Sequence, residues 1–206
     1  MRCVQCFIIF VLLLLAPLCA YLQFGRSPAV PPVELSSLLL DGGDFPSDRW
    51  VAREPHPDDY YIAASDAWVR GFEVIPFGTE GGAVHTVIWY RSTDLAEKRY
   101  EKRRQAFFPT TGARAADLIT SWQTPEALHY SSATADEFQL ACARIKCSFC
   151  LEGELTSCGV LARYGSFISQ FSVQMVPKYM TYDQLETMLR TIDERMAPYA
   201  EEQKAN

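Results

Sequence analysis

The sequence predicts an α+β fold: an antiparallel β-sheet covered by amphipathic helices, after an N-terminal membrane or signal helix. Three observations predict it. The chain reads in the order helix, several strands, helix, several strands, helix. Its neighbouring strands are joined by turns far too short for a parallel crossover, so they pair antiparallel. Helices with one apolar stripe then need a sheet face to bury it against.

Residues 1–26 come first. Between Arg2 and Arg26 there is no charged side chain, and Phe7 to Leu15 is unbroken apolar sequence. An unpaired charge in hydrocarbon is costly, so a charge-free stretch of this length marks entry into a bilayer. Cys3 to Gly25 is long enough to span, which predicts a signal-anchor with the membrane as partner through residues 3–25. The alternative is a signal peptide cut after Ala20, although Leu18 fits poorly where a small residue is expected. A lipid-modified Cys19 is disfavoured in the same way by Pro17 and Leu18. Residues 27–33, SPAVPPV, form a Pro-rich linker that lifts the domain off the membrane. The expected location is the cell membrane with residues 34–200 as a single extracytoplasmic domain, or secretion after cleavage near Ala20.

Glu34 to Leu40 reads as a short helix, with Leu35, Leu38 and Leu39 on one side and Gly42-Gly43 at its end. A short strand is expected around Trp50 and Val51, then a loop from Glu54 to Tyr61 rich in prolines and acids. Trp68–Ile75 and Ala83–Tyr90 read as strands around a hairpin at Pro76–Gly82. In the second of them Val84, Thr86, Ile88 and Tyr90 alternate with His85, Val87 and Trp89, and apolar groups on both faces predict a central strand. Asp94 and Glu97 have capping-box spacing at the start of a helix that carries Ala96, Tyr100 and Phe107 and stops at Pro109. Residues 109–135 carry no decisive period, though Leu118, Ile119 and Trp122 call for burial. Glu137–Ile145, Gly159–Tyr164 and Phe167–Val176 follow as strands, the last two joined at Gly165. Thr181 and Gln184 cap a helix whose stripe is Tyr182, Leu185, Leu189, Ile192 and Met196; Pro198 closes it, and 201–206 is a polar tail.

Removing Arg2 and Arg26 from the 19 basic residues leaves 17 against 25 acidic ones, so no basic footprint for nucleic acid exists. The cluster Lys98-Arg99 with Lys102-Arg103-Arg104 is broken by Glu101 and reads as the solvated face of a helix. Cys142, Cys147, Cys150 and Cys158 are disulfide candidates, because an exported even set of cysteines oxidises. With strands at 138–146 and 159–164, Cys147 and Cys158 stand opposite at the hairpin neck, which makes them the preferred pair. A zinc site needs two close cysteine pairs, and the flanking spacings do not match. A redox Cys-x-x-Cys usually opens a helix, and no helical period follows Cys150.

No catalytic residue, cofactor site or metal site is assigned. His56 beside Asp58 and Asp59 reads as a solvated loop, His85 as a satisfied core histidine, and His129 has no recognisable partner. Nucleophile-elbow and phosphate-loop motifs do not occur. The strand Val84–Tyr90 running into the Asp94 helix, and the Cys158–Val176 hairpin running into the Thr181 helix, resemble the small exported α/β sandwiches of the PsbP-like kind. That resemblance implies a domain that acts by binding or assembly and has no catalytic residues. The expected function is therefore a membrane-tethered or secreted extracytoplasmic domain that binds a small ligand or a protein. The competing expectations are an exported hydrolase using His56, Asp58, Asp59 or His85, and a thiol or metal module built on Cys142 to Cys158.

Overall fold

In the computed structural model, residues 30–204 are described apart from 62–63, 75–80, 149 and 151–152, and the side chains of Arg114 and of residues 201–204 are not described. The expected N-terminal helix (1–26), residues 27–29 of the linker and the tip of the 76–82 hairpin therefore lie outside the described residues. Among the described residues no helix is long and apolar enough to cross a membrane.

The strands are β1 (Trp50–Ala52), β2 (His56–Pro57), β3 (Asp66–Val74), β4 (Gly82–Trp89), β5 (Glu137–Lys146), β6 (Glu154–Tyr164) and β7 (Phe167–Met175). They form one antiparallel sheet in the order β1-β3-β4-β7-β6-β5, with β2 also paired to β3. Helix α1 (Thr93–Phe107) packs on one face and α2 (Tyr182–Lys204) on the other. The alternation in β4 falls as expected: Val87 and Trp89 bury under α2 with Phe171 and Val160, while Ile88 and Tyr90 bury under α1 with Leu161 and Ile168. Strand β4 sits between β3 and β7, which accounts for its two apolar faces.

Several boundaries differ from the expectation: β2 falls within the loop expected at 54–61, and β3 begins at Asp66 rather than Trp68. Residues 35–38 and 42–44 are 3-10 turns rather than an α-helix, and Leu35, Leu38, Leu39 and Leu40 all bury. A segment that buries side chains in every direction has no polar stripe to keep in water, so it follows the core surface instead of a helical period. Helix α1 is capped by Ser92, in extended geometry, whose Oγ accepts the Leu95 N–H at 3.3 Å; Asp94 lies inside the first turn. Strand β6 begins at Glu154, not Gly159. Helix α2 runs past Pro198 to Lys204, because proline removes one intrahelical donor while Tyr199 and Ala200 still pack on the core. Its start is as expected: Thr181 N–H donates to Gln184 Oε1 at 2.8 Å and Gln184 N–H to Thr181 Oγ1 at 3.3 Å.

The segment without a period, 109–135, runs along the outer edge of β5. Leu118 bridges Ile145 and Gln123 bridges Cys142. It satisfies an otherwise open strand edge, and that task needs backbone rather than a side-chain pattern. Ile119, expected to bury, is 40% exposed.

Candidate functional site

The cysteines resolve through the backbone. Both the N–H and the C=O of Cys142 bond outward to Gln123, at 2.8 and 3.0 Å. An antiparallel residue points both groups the same way, so toward β6 Cys142 occupies a non-hydrogen-bonded position, where facing Cβ atoms come closest. Its partner in the register is Cys158, and the two are disulfide-bonded with their Cα atoms 4.0 Å apart. This bridge is 5% and 1% exposed and belongs to the core beneath α2. Cys147 bonds Cys150 at the tip of the same hairpin. The expected Cys147–Cys158 pairing is thus corrected: β6 starts five residues earlier than its apolar run indicated, which moves the neck of the hairpin from Cys158 to Glu154. With all four sulfurs in disulfides, no thiolate is left among them to ligate zinc.

The residues named for hydrolysis do not converge. His56 is exposed on β2, its Nδ1 3.0 Å from the Pro57 carbonyl. Asp58 Oδ1 accepts the Tyr60 N–H, and Asp59 is exposed. His85 faces the opposite side of the sheet and is fully buried. His129 is exposed, its backbone N–H donating to Glu186 Oε1 at 2.6 Å.

His85 does contact a serine, with Nε2 3.0 Å from Ser169 Oγ. The proton is on the wrong atom for catalysis, however. The Leu40 N–H donates to His85 Nδ1 at 3.0 Å, so Nδ1 carries the lone pair and Nε2 carries the hydrogen. A ring that donates to the serine cannot take the serine's proton. Burial, then the charges of Arg195 and Arg70, hold His85 far below its usual value, at about 3. Arg70 donates to the Leu40 carbonyl at 2.9 Å, and Arg195 to the Leu39 carbonyl and to Asp44. The whole group fastens residues 39–44 to the sheet and to α2.

A second polar cluster that sequence reasoning missed surrounds Asp193 of α2. Tyr130, Ser132 and Tyr164 all donate hydroxyl protons to its carboxylate, Ser132 at 2.9 Å. Burial first, and this carboxylate second, push the Tyr130 and Tyr164 phenols well above their ordinary value. Ser132 Oγ in turn accepts the Ala135 N–H at 2.9 Å. Three donors on one carboxylate tie the 130–135 segment and β6 to α2. The i, i+3 and i+4 stripe of α2 excluded Asp193 from the core, so only its place beside that stripe hinted at the role.

What stays open is part of the α1 face. Ala96, Tyr100 and Phe108 cover one half of it. Gly159 allows the end of α1 to seat, since a Cβ there would lie 2.8 Å from the Phe107 ring. Beyond it the floor continues as a groove of about 320 Å³, lined by Gly71, Val84, Ser157, Ser172 and Gln174. Val84 is 43% exposed, and Val51 on the adjoining edge strand 38%. An Arg53–Glu73 ion pair of 2.7 Å crosses the rim. Small side chains, hydroxyls and an amide on a shallow floor can hold an extended ligand or a protein surface, and they supply no activated group.

The arrangement defines a class: a single antiparallel sheet between two helices, with a disulfide-braced hairpin and a half-open face. Within it the chain is similar to a solved structure, the extracellular domain of PknH from Mycobacterium tuberculosis, with a TM-score of 0.55 at 10% identity over 81% of this chain and 98% of that one. At that identity the likeness is one of fold. No family model and no curated protein matches the sequence.

Proposed function

We propose that the chain is an extracytoplasmic binding domain, tethered to the membrane through residues 3–25, that takes a ligand or protein partner on the open half of its α1 face. The observation that carries this reading is the oxidised state of the hairpin, above all a disulfide sealed in the core at Cys142–Cys158. Such bonds persist in oxidising compartments and are rare in reducing ones. The charge-free stretch after Arg2 supplies the route out of the cytoplasm. A fold shared with a domain described as extracellular is consistent with it.

The test is a pair of C-terminal fusions of the full chain in a bacterial host, one to alkaline phosphatase, which works only after export, and one to a fluorescent protein that matures in the cytoplasm. Phosphatase activity in the carbonate-washed membrane pellet is expected. Activity in the soluble exported fraction instead would mean cleavage near Ala20. A fluorescent cytoplasmic fusion with a silent phosphatase would overturn the location altogether.

A further inference from the structure

The two disulfides of the β5–β6 hairpin occupy contrasting surroundings. Cys142–Cys158 is 5% and 1% exposed in the core, whereas Cys147 and Cys150 at the tip are both partly exposed. Backbone hydrogen bonds also join the described residues of the tip. Cys147 N–H donates to Gly153 O at 2.9 Å, Gly153 N–H to Cys150 O at 3.1 Å, and Cys150 N–H to Cys147 O at 3.3 Å. Gly153, at φ +71°, supplies the left-handed residue that this turn needs. The strands below are locked in register by Cys142–Cys158 and by continuous pairing from Glu137–Arg163 to Lys146–Glu154. A bridge between residues three apart also constrains the unfolded chain less than one between residues sixteen apart. The tip bond is therefore more exposed than the core bond, closes the shorter loop, and has the Cys-x-x-Cys spacing at which a released thiol stays next to its partner.

We propose that Cys147–Cys150 is a thiol–disulfide exchange site for an external dithiol, and that Cys142–Cys158 is shielded from the same reagent. A thiolate of the dithiol attacks one tip sulfur, forming a mixed disulfide while the other cysteine leaves as thiolate and is protonated. The second thiolate of the dithiol then attacks its own partner sulfur in that mixed bond. The products are two cysteine thiols on this chain and the oxidised, cyclic disulfide of the reagent. Two electrons have passed from the dithiol to the tip, and the reverse steps reoxidise it. The site makes the hairpin tip a reversible two-state element on a fold that does not change.

The test treats the oxidised full chain, in detergent, with dithiothreitol or with reduced thioredoxin. Samples are quenched in acid, alkylated and mapped by peptide mass spectrometry, while near-ultraviolet circular dichroism follows the fold. Cys147 and Cys150 are expected to alkylate at least about tenfold faster than Cys142 and Cys158, with the dichroism unchanged through that phase. The Cys147→Ser/Cys150→Ser variant is expected to keep the native spectrum and lose the fast phase. Reduction of both pairs at one rate, earlier reduction of Cys142–Cys158, or loss of the spectrum with the tip bond would each overturn the proposal. This result is independent of cellular location, so it can fail while the export experiment succeeds.

Discussion

His85 shows how much one side chain of this fold decides. Its Nδ1 holds the Leu40 N–H and its Nε2–H is given to Ser169, so the neutral ring is the form the native state requires. The unfolded ring takes a proton near pH 6.5, while the native ring resists protonation down to about pH 3. Below pH 6.5 the unfolded state therefore binds more protons, and stability falls as the pH falls, by about 1.4 kcal/mol per unit from this group. Urea unfolding of the wild type and of His85→Phe at pH 7, 6 and 5 measures it. At pH 7 the variant should be less stable by about 1–3 kcal/mol, because Leu40 N–H and Ser169 lose their partner. By pH 5 the gap should narrow by about 2 kcal/mol. Parallel pH curves for the two proteins would refute the assignment. The sequence favoured the core role, since a histidine among apolar strand neighbours is more often core than catalytic, although His85 also stood among the hydrolase candidates. Its partners were hidden, because Leu40, Ser169 and Arg195 come from three distant segments.

At the scale of elements, legibility followed side-chain period. The strands β3, β4 and β7 and the start of α2 announce themselves by alternation or by a capping box. The error at the cysteines came from a boundary: Glu154 to Ser157 alternate too weakly to read as strand, because they pair near a hairpin tip where both faces are part-exposed. Segment 109–135 was illegible because it is held by its backbone along β5 and by the Asp193 cluster. That cluster gives a graded prediction. Asp193→Ala removes the acceptor of three hydroxyls and should cost about 3 kcal/mol, with faster amide exchange at Ala135. Asp193→Asn keeps the volume and one acceptor oxygen, so it should cost clearly less. Equal losses would mean that packing rather than the carboxylate holds the segment. The seat of α1 is tested in the same way. Gly159→Ala places a methyl group against the Phe107 ring and should destabilise by about 1–3 kcal/mol in thermal unfolding, whereas Gly112→Ala, with open space around it but φ +79°, should cost only its backbone strain.

For the whole molecule, the buried phenols set the alkaline limit as His85 sets the acid one. Tyr61, Tyr100, Tyr130 and Tyr164 are all pushed above the ordinary phenol value, in each case mainly by burial. Tyr100 and Tyr164 are buried and Tyr61 and Tyr130 half-buried, so an anion at any of them would lose part or all of its hydration, and Tyr130 and Tyr164 already face the Asp193 carboxylate. The native state keeps these protons while the unfolded chain releases them near pH 10. The stability they contribute is thus complete below pH 10 and is lost as the pH rises beyond it, by about 1.4 kcal/mol per unit for each phenol that stays protonated. Self-repulsion in a chain that is already net acidic, at −6, acts in the same direction. A titration followed at 295 nm and by far-ultraviolet circular dichroism should therefore show a late, steep phenolate step that coincides with loss of secondary structure. In Tyr164→Phe the slope of stability against pH above 10 should fall by about one proton, and the acid limb should be unchanged. Smooth ionisation of every phenol with the dichroism intact would show instead that the faces of the sheet open to water without unfolding.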